Sequence, residues 1–286
     1  MKWLLNILKG VVIGLANIIP GVSGGTMMVS MNIYDTLIHC ITHLFKEFKR
    51  SVLTLLPFGI GMALAVIVGA FGLKAAFANF PLPTNALFIG LILGSIPAIW
   101  HQMKDEKKGV PGAVIFALFF AVVVVLKVVE GENSGTIVLS FGEVIKLLFL
   151  GCIASATMVI PGVSGSMILK TLGYYEPVVT VSIPAAIKAL ASGDWPVLLE
   201  KVGILLPFAI GIVVGIFAIA KLIEVLLAKK KGLTYCAIMG MVLASPVVIL
   251  MDKGLYADTG VGIILASAAA LAVGAAIALR LSGDRN

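Results

Sequence analysis

The sequence predicts an all-α polytopic membrane protein of two inverted-topology repeats, each a re-entrant helical hairpin plus three transmembrane helices. Three observations support this fold class: the composition is 60% hydrophobic and 12% charged, several apolar runs are long, and a proline–glycine motif occurs twice. A soluble domain has about twice that charged fraction, and about 20 apolar residues cross a bilayer. We therefore expect a single membrane domain over residues 1–286, with repeats at about 1–130 and about 141–286.

The duplicated motif reads IPGVSGG at Ile19–Gly25 and IPGVSGS at Ile160–Ser166. Each copy interrupts a long apolar segment, Trp3–Ile38 in the first half and Phe141–Val179 in the second. Proline has no backbone donor and glycine is a poor helix former, so one helix should stop and another begin. The first N–H groups of a helix lack intrahelical partners and carry partial positive charge. The motif therefore predicts a site for an anion, typically a phosphate.

Backbone N–H groups and hydroxyls of both motifs are the predicted donors to this anion. Ser23 and Ser164 are also expected to cap the restarted helices. The alternative is that each motif is a helix break needed for packing, with glycine allowing close approach. Two matched breaks favour the binding site. Its predicted residues are Ser23, Gly24, Gly25, Thr26, Ser164, Gly165 and Ser166.

The rest of the chain also reads as two matched halves. Tyr34 pairs with Tyr175 at an offset of 141, whereas LLPF at Leu55 pairs with LLPF at Leu205 at an offset of 150. The difference predicts a nine-residue insertion in the link Ser182–Trp195, which is amphipathic or loop-like. The predicted spanning helices are Val52–Phe77, Asn85–Trp100, Val110–Val129, Val202–Leu227, Leu233–Met251 and Val261–Leu281.

The distribution of lysine and arginine predicts the orientation. If each broken segment returns to its starting side, three crossings remain per half and the second half is inverted, as in many secondary transporters. With both termini in the cytoplasm, the Glu130–Ser140 link lies on the external side of the cytoplasmic (inner) membrane. The basic residues then expected inside are Lys2, Lys9, Lys46, Lys49, Arg50, Lys104, Lys107, Lys108, Lys229–Lys231, Arg280 and Arg285.

Charge and cysteine content exclude several functions. The net charge of +7 would indicate a nucleic-acid partner in a soluble protein, but basic cytoplasmic loops explain it here. Cys40, Cys152 and Cys236 are odd in number and far apart, which predicts neither a disulfide framework nor a zinc site. We expect no nucleic acid, no cofactor and no metal.

Two enzyme classes share part of the motif. GVSG at Gly21–Gly24 matches the G-x-S-G of rhomboid-type proteases, but their chemistry needs a histidine base beside the serine. His39, His43 and His101 lie in or beside polar links, and none is repeated alongside Ser164. A protease is therefore not predicted.

The undecaprenyl-pyrophosphate phosphatase signature, P-G-x-S-R-S-x-x-T, is closer to both motifs. Gly24 and Gly165 occupy the position of its arginine, and its glutamate pair is not visible near the first repeat. We predict binding without hydrolysis, and no catalytic residues.

The chain most resembles the bacterial polyprenyl-phosphate (undecaprenyl-phosphate) transporter family. The residues that carry the resemblance are GLANIIPGVSGGTMMVSMNIYDTLI from Gly14, the two LLPF strings, and MVIPGVSGSMILKTLGYY from Met158. The resemblance covers essentially the whole chain. It implies a flippase that returns undecaprenyl phosphate to the cytoplasmic leaflet for cell-envelope synthesis. A transporter of a small soluble anion and a phosphatase-like enzyme are the alternatives.

Four further polar residues are candidates for coupling or support. Many relatives in the resembled family carry an acid at the position of Asn17, which leaves a coupling role of this asparagine open. Asp35 and Glu176 recur after the matched tyrosines and are candidate carriers of H⁺, with Na⁺ as the other candidate ion. Lys170 follows the second motif and is a candidate phosphate partner. The alternatives are helix ends for the two acids and a snorkelling lysine. The oligomeric state stays open.

Overall fold

The structure is a computed structural model in which the chain is almost entirely helical, and the predicted all-α class is confirmed. It describes residues 2–18, 23–104, 106, 108–129, 137–162, 165–256 and 260–283. The first half contains α1 (Lys2–Ile18), α2 (Gly24–Ser30), α3 (Tyr34–Thr42), α4 (Phe48–Asn79), α5 (Pro81–Met103) and α6 (Gly109–Val129). The second contains α7 (Phe141–Val159), α8 (Gly165–Thr171), a π-helix (Tyr175–Ser182), α9 (Ile183–Ser192), α10 (Trp195–Leu250), a 3₁₀ turn (Lys253–Tyr256) and α11 (Val261–Gly283).

The protein is a multi-pass membrane protein. Six of the described helices, α4, α5, α6, α7, α10 and α11, are long and apolar enough to cross a bilayer. Helices α6, α10 and α11 contain the most apolar stretches among the described helices. In those of α6 and α11 only 11% of the residues are buried inside the protein. Such faces are stable only against lipid.

Helix α10 is too long for a single crossing. Its 56 residues would extend about 84 Å, more than twice the thickness of the hydrocarbon core. Lys230 has a non-helical backbone (φ −142°, ψ 47°) that divides the helix into a first arm before it and a second arm after it. The sequence predicts a break at Lys229–Lys231, and the structure places a kink there without a loop.

The helix breaks recur at matched positions in the two halves. Helices α2 and α8 have seven residues each and begin at Gly24 and Gly165, an offset of 141 residues. The turns that follow them also match, because Asn32 (φ 55°) and Gly173 (φ 78°) both adopt the left-handed conformation. Asparagine is one of the few non-glycine residues that tolerates this conformation. The duplicated sequence therefore corresponds to duplicated backbone geometry.

The helices that follow are matched too. Phe80 between α4 and α5 has φ −137° and ψ 59°, almost the conformation of Lys230, which is 150 residues later. Pro81 and Pro83 belong to the first turn of α5, where a missing N–H leaves no bond unmade. The link between α4 and α5 is thus the single residue Phe80.

Glycines allow the closest helix contacts. A Cβ on Gly10 would lie 2.3 Å from the carbonyl oxygen of Phe58, and the matched Gly151 would meet Phe208 in the same way at 2.1 Å. Helix α1 therefore packs on α4, and α7 packs on the first arm of α10. These pairs stay within one half of the chain.

The last helix of each half packs on the other half. Helix α11 lies against α5, where a Cβ on Gly90 would be 2.0 Å from the carbonyl oxygen of Leu271. Helix α6 lies against α10, where a Cβ on the matched Gly240 would be 2.4 Å from that of Phe116. The two halves thereby exchange α6 and α11.

The predicted insertion forms a helix. The link Ser182–Trp195 contains α9, which ends at Gly193 in a left-handed C-cap (φ 71°). The π-helix Tyr175–Ser182 precedes it directly, whereas α3 of the first half ends in a short turn before α4. The loop-like alternative for this link is therefore wrong.

Candidate functional site

The two motif copies are in direct contact. The hydroxyl of Ser23 lies 3.4 and 3.2 Å from the carbonyl oxygens of Thr157 and Ile160, to which it donates. In return, the N–H of Gly162 donates to Oγ1 of Thr26 at 2.8 Å. Ser23 is 3% exposed and Thr26 is fully buried, so these bonds lie inside the protein. The structure thus brings the residues around the two breaks together.

Gly25 lies at the tightest point of this contact. A Cβ at this position would be 2.8 Å from the carbonyl oxygen of Val159 and 3.0 Å from the nitrogen of Pro161. Both atoms belong to the backbone, so no side-chain rotation would make room. Close packing of the two breaks is therefore sufficient to require glycine at position 25.

The capping prediction for Ser23 is wrong in its side-chain partner. Ser23 is the extended N-cap residue of α2, but its hydroxyl makes no capping bond with a described residue and instead contacts the second motif. Asn17 supplies the cap, because its Oδ1 accepts a hydrogen bond from the N–H of Gly24 at 3.0 Å. Asn17 therefore connects the end of α1 to the start of α2.

The structure describes the second motif except for its central residues 163 and 164. Ser164 lies outside the described residues, so its predicted role stays a prediction. Gly165 begins α8 beside the hydroxyl of Thr157, which would be 2.7 Å from a Cβ on this glycine. Ser166 follows as a partly buried residue of α8. Thr157 thus contacts both motifs, through its carbonyl and its side chain.

Asp35 belongs to a second polar group, between α3, α5 and α10. Its two carboxylate oxygens lie 2.8 and 2.9 Å from the hydroxyl of Tyr235, which donates to them. A cavity of about 10 Å³, enough for about one water, opens beside them and is also lined by Asn32 and Gln102. Tyr34 also lines it, and within the described part of the chain its hydroxyl is buried without a hydrogen-bond partner. A buried hydroxyl normally has a hydrogen-bond partner, either protein or ordered water.

Glu176 and Lys170 are placed differently. Glu176, which matches Asp35, is exposed at the start of the π-helix. The Nζ of Lys170 lies 5.6 Å from the ring centroid of Tyr175, within cation–π range. Neither side chain therefore lies in the group around Asp35.

Sequence reasoning did not identify Thr157, Tyr235 or Gln102. The matched position of Tyr235 in the first half is Asn85, so the repeat gives no signal for a tyrosine there. Thr157 precedes its motif by a few residues and is matched by Ala16. Their roles depend on contacts between the halves, which the sequence does not specify.

Comparison with known proteins gives a consistent result. The family model described as undecaprenyl phosphate translocase-like matches residues 13–262. A polyprenyl-phosphate transporter of Vibrio cholerae is 28% identical over 265 residues, which cover 86% of this chain and 77% of the relative. A polyprenyl-phosphate transporter of Staphylococcus aureus is 30% identical over 251 residues, which cover 85% and 84%. No solved structure matches significantly.

Proposed function

Because the chain belongs to the undecaprenyl phosphate translocase-like family, we propose that it is a flippase for undecaprenyl or another polyprenyl phosphate. The single observation that carries this proposal beyond the family is the contact of the two duplicated breaks through Ser23, Thr26 and Gly162. Polar backbone inside a membrane is tolerated where it is buried in protein or lines a cavity. Two such breaks at one place therefore support a site for a polar head group.

The chemistry of the substrate explains the need for such a site. By Born estimates, moving an ionised phosphate from water into a medium of low dielectric costs on the order of tens of kcal/mol. Its prenyl tail, by contrast, is as apolar as the lipid. The head must cross through protein while the tail remains in the bilayer. Transport in the cytoplasmic membrane would return the lipid carrier to the cytoplasmic leaflet.

The substrate site comprises the motif residues that the sequence singled out. Its donors are the N–H groups and hydroxyls of Ser23, Gly24, Gly25, Thr26, Ser164, Gly165 and Ser166. In the structure Gly25 fits against Val159 and Pro161 without room for a methyl group. The phosphate therefore enters when the two breaks separate, and the contact between them represents the closed site.

The architecture proposed for this function is the inverted repeat within one membrane domain, with repeats at about 1–130 and about 141–286. Matched breaks at Ile18 and Val159, and matched kinks at Phe80 and Lys230, support the duplication. Each broken segment is proposed to form a re-entrant hairpin, so that three crossings follow in each half. Both termini then lie in the cytoplasm.

Single-cysteine labelling in a Cys-free background tests this topology with a membrane-impermeant reagent. The Glu130–Ser140 link, whose residues 130–136 lie outside the described part, should react from outside. Lys230 replaced by cysteine should react from the cytoplasm only. Reaction of both positions from the same side would exclude the inverted arrangement and leave the substrate proposal standing.

Asp35 is proposed as the coupling residue, carrying H⁺ or binding Na⁺. Its carboxylate is held by Tyr235 beside a cavity for about one water, which offers a path for a proton or a ligand for an ion. Asn17 already bonds Gly24 and cannot exchange a proton as an amide. Glu176 and Lys170 are assigned supporting roles near the surface.

Competition binding tests the substrate. A labelled polyprenyl phosphate analogue should be displaced far better by unlabelled polyprenyl phosphate than by inorganic phosphate, because each buried CH₂ adds about 0.8 kcal/mol. Equal potency would exclude the lipid and favour a small soluble anion. Release of phosphate from polyprenyl pyrophosphate by the purified protein would instead indicate an enzyme.

A further inference from the structure

Two histidines and a glutamate meet where the first half of the chain contacts the second. His39 and His43 are four residues apart on α3, so they lie on one face of the helix, and their rings stack with centroids 4.1 Å apart. Glu224 projects from the first arm of α10 towards them. Its Oε1 lies 3.7 Å from Nδ1 of His39 and 3.2 Å from Nδ1 of His43.

We propose that His39, His43 and Glu224 form a binding site for a divalent transition-metal ion such as Zn²⁺. One ligand atom from each residue lies within 4.8 Å of the others. In a tetrahedral zinc site with bonds of about 2.0–2.1 Å, ligand atoms are about 3.3 Å apart. The two distances to Glu224 bracket this separation, so small side-chain rotations bring the ligands to the ion.

The donor set determines which metal fits. Two imidazole nitrogens and one carboxylate oxygen suit zinc, cobalt or nickel, whereas magnesium and calcium prefer oxygen ligands alone. Three protein ligands leave a fourth position for water. His39 and His43 are partly accessible, with side chains 46% and 24% exposed, so an ion can reach the site.

The surroundings provide an outer partner for one histidine. Nε2 of His39, the nitrogen opposite Glu224, lies 3.9 Å from a carboxylate oxygen of Glu47. Such a carboxylate typically orients a metal-bound histidine and raises its basicity. On the other side, Nζ of Lys221 pairs with the second oxygen of Glu224 and leaves Oε1 facing the histidines.

His43 must exchange partners when the ion binds. Its Nδ1 lies 3.0 Å from the hydroxyl of Thr42 and 3.2 Å from the carbonyl oxygen of His39. Both contacts are local and exposed or half-exposed, so water can replace them at small cost. The metal bond to Nδ1 is the stronger interaction.

A metal at this position would connect α3 to α10. Because α3 also carries Asp35, and α10 belongs to the other half, the ion would join the two halves beside the proposed coupling residue. If the halves move during transport, which rests on the proposed function, zinc should slow transport. Binding of the metal itself does not depend on that function.

Metal titration of the purified full-length protein, prepared without a polyhistidine tag, tests the site. Zinc should bind at one ion per chain by calorimetry, and Co²⁺ should give the visible absorption of a tetrahedral complex. Loss of an outer partner typically weakens metal binding by about 10- to 100-fold. His43→Ala and Glu224→Gln each remove a direct ligand and should therefore weaken zinc binding by more than that. Glu47→Gln should weaken it by about 10-fold.

His101→Ala is the matched control, because His101 is an exposed histidine of α5 that does not belong to the cluster. It should leave zinc binding unchanged. Replacement of Cys40, Cys152 and Cys236 by serine should also leave it unchanged. Size-exclusion profiles establish that each variant is folded, and His39→Ala serves as a second ligand variant. Zinc affinity that is unaffected by loss of His43 and Glu224, or the absence of stoichiometric binding, would overturn the proposal.

Discussion

The two broken segments share a backbone but differ in their side chains. Each stops one helix, restarts another for seven residues and turns through a left-handed residue. In the first segment Asp35 is bound by Tyr235 beside a cavity, whereas the matched Glu176 in the second segment is exposed. The comparison indicates that both halves build the central contact, while the residue proposed for coupling, Asp35, belongs to the first half.

Two local features accompany this difference. The position that matches Tyr235 is Asn85, whose side-chain amide donates to the carbonyl of Pro81 in its own helix. In the second half, the π-helix takes the place of α3, since the two begin at the matched tyrosines, and α9 replaces the short turn that links α3 to α4. A π-helix changes the direction of successive side chains relative to an α-helix. Equal sequence positions therefore do not give equal surroundings.

The largest effect is expected for the contact that both segments share. In Gly25→Ala the new methyl group would meet backbone atoms of Val159 and Pro161. Such overpacking costs up to about 3 kcal/mol, so the closed contact should be disfavoured by up to about 150-fold, and transport in liposomes, which needs the site to close, should fall by up to that factor. Gly59→Ala on α4 is the control, because a Cβ there has no described neighbour within 4 Å. Equal transport by the two variants would show that closure of this contact is not needed for function.

The next effect tests the asymmetry directly. Asp35→Asn removes a charge that accepts the hydrogen bond of Tyr235, an interaction of about 1.5–3 kcal/mol, so transport in liposomes should fall by about 10- to 150-fold. Glu176→Gln changes an exposed carboxylate and should alter transport by no more than about twofold. Similar losses in both variants would place coupling in both halves.

A smaller effect is expected from the hydroxyl between the motifs. Ser23→Ala removes a hydroxyl that is a proposed donor to the phosphate, an interaction worth about 1 kcal/mol, and should weaken binding of the analogue by about fivefold. Ser30→Ala is the matched control on α2, since its buried hydroxyl bonds only to Thr26 of the same helix among the described residues. If Ser30→Ala weakens binding as much as Ser23→Ala, a specific role of Ser23 is excluded.

The last comparison concerns the matched turns and is measured as a change in stability. Gly173→Ala places a Cβ in the left-handed region at φ 78° and should cost about 1–2 kcal/mol of stability. Asn32→Gly relaxes the same conformation but loses the bond from Gln102, so its net effect should be smaller. Thermal unfolding of the detergent-purified variants measures both. A larger loss of stability for Asn32→Gly would mean that the hydrogen bond from Gln102 contributes more than the relief of backbone strain.

The sequence is sufficient to predict what depends on local composition. Apolar length identifies the helices, and Pro20 and Pro161 with their glycines mark the breaks, because missing donors and poor propensity act where they occur. The partners of the side chains could not be predicted. Asn17 caps α2 while Ser23 reaches the other motif, a choice that depends on how two segments 141 residues apart are packed.

The exchanged helices have a consequence for how the chain matures on the ribosome. The narrow face of α5 at Gly90 and Gly94 fits against α11, whose Leu271 and Ala275 are synthesised about 180 residues later. Until α11 is inserted into the membrane, that face of α5 lacks this partner. The first half therefore cannot complete its packing while the second is being made. A nascent chain released before α11 would present this unfilled groove to the proteases that survey membrane proteins.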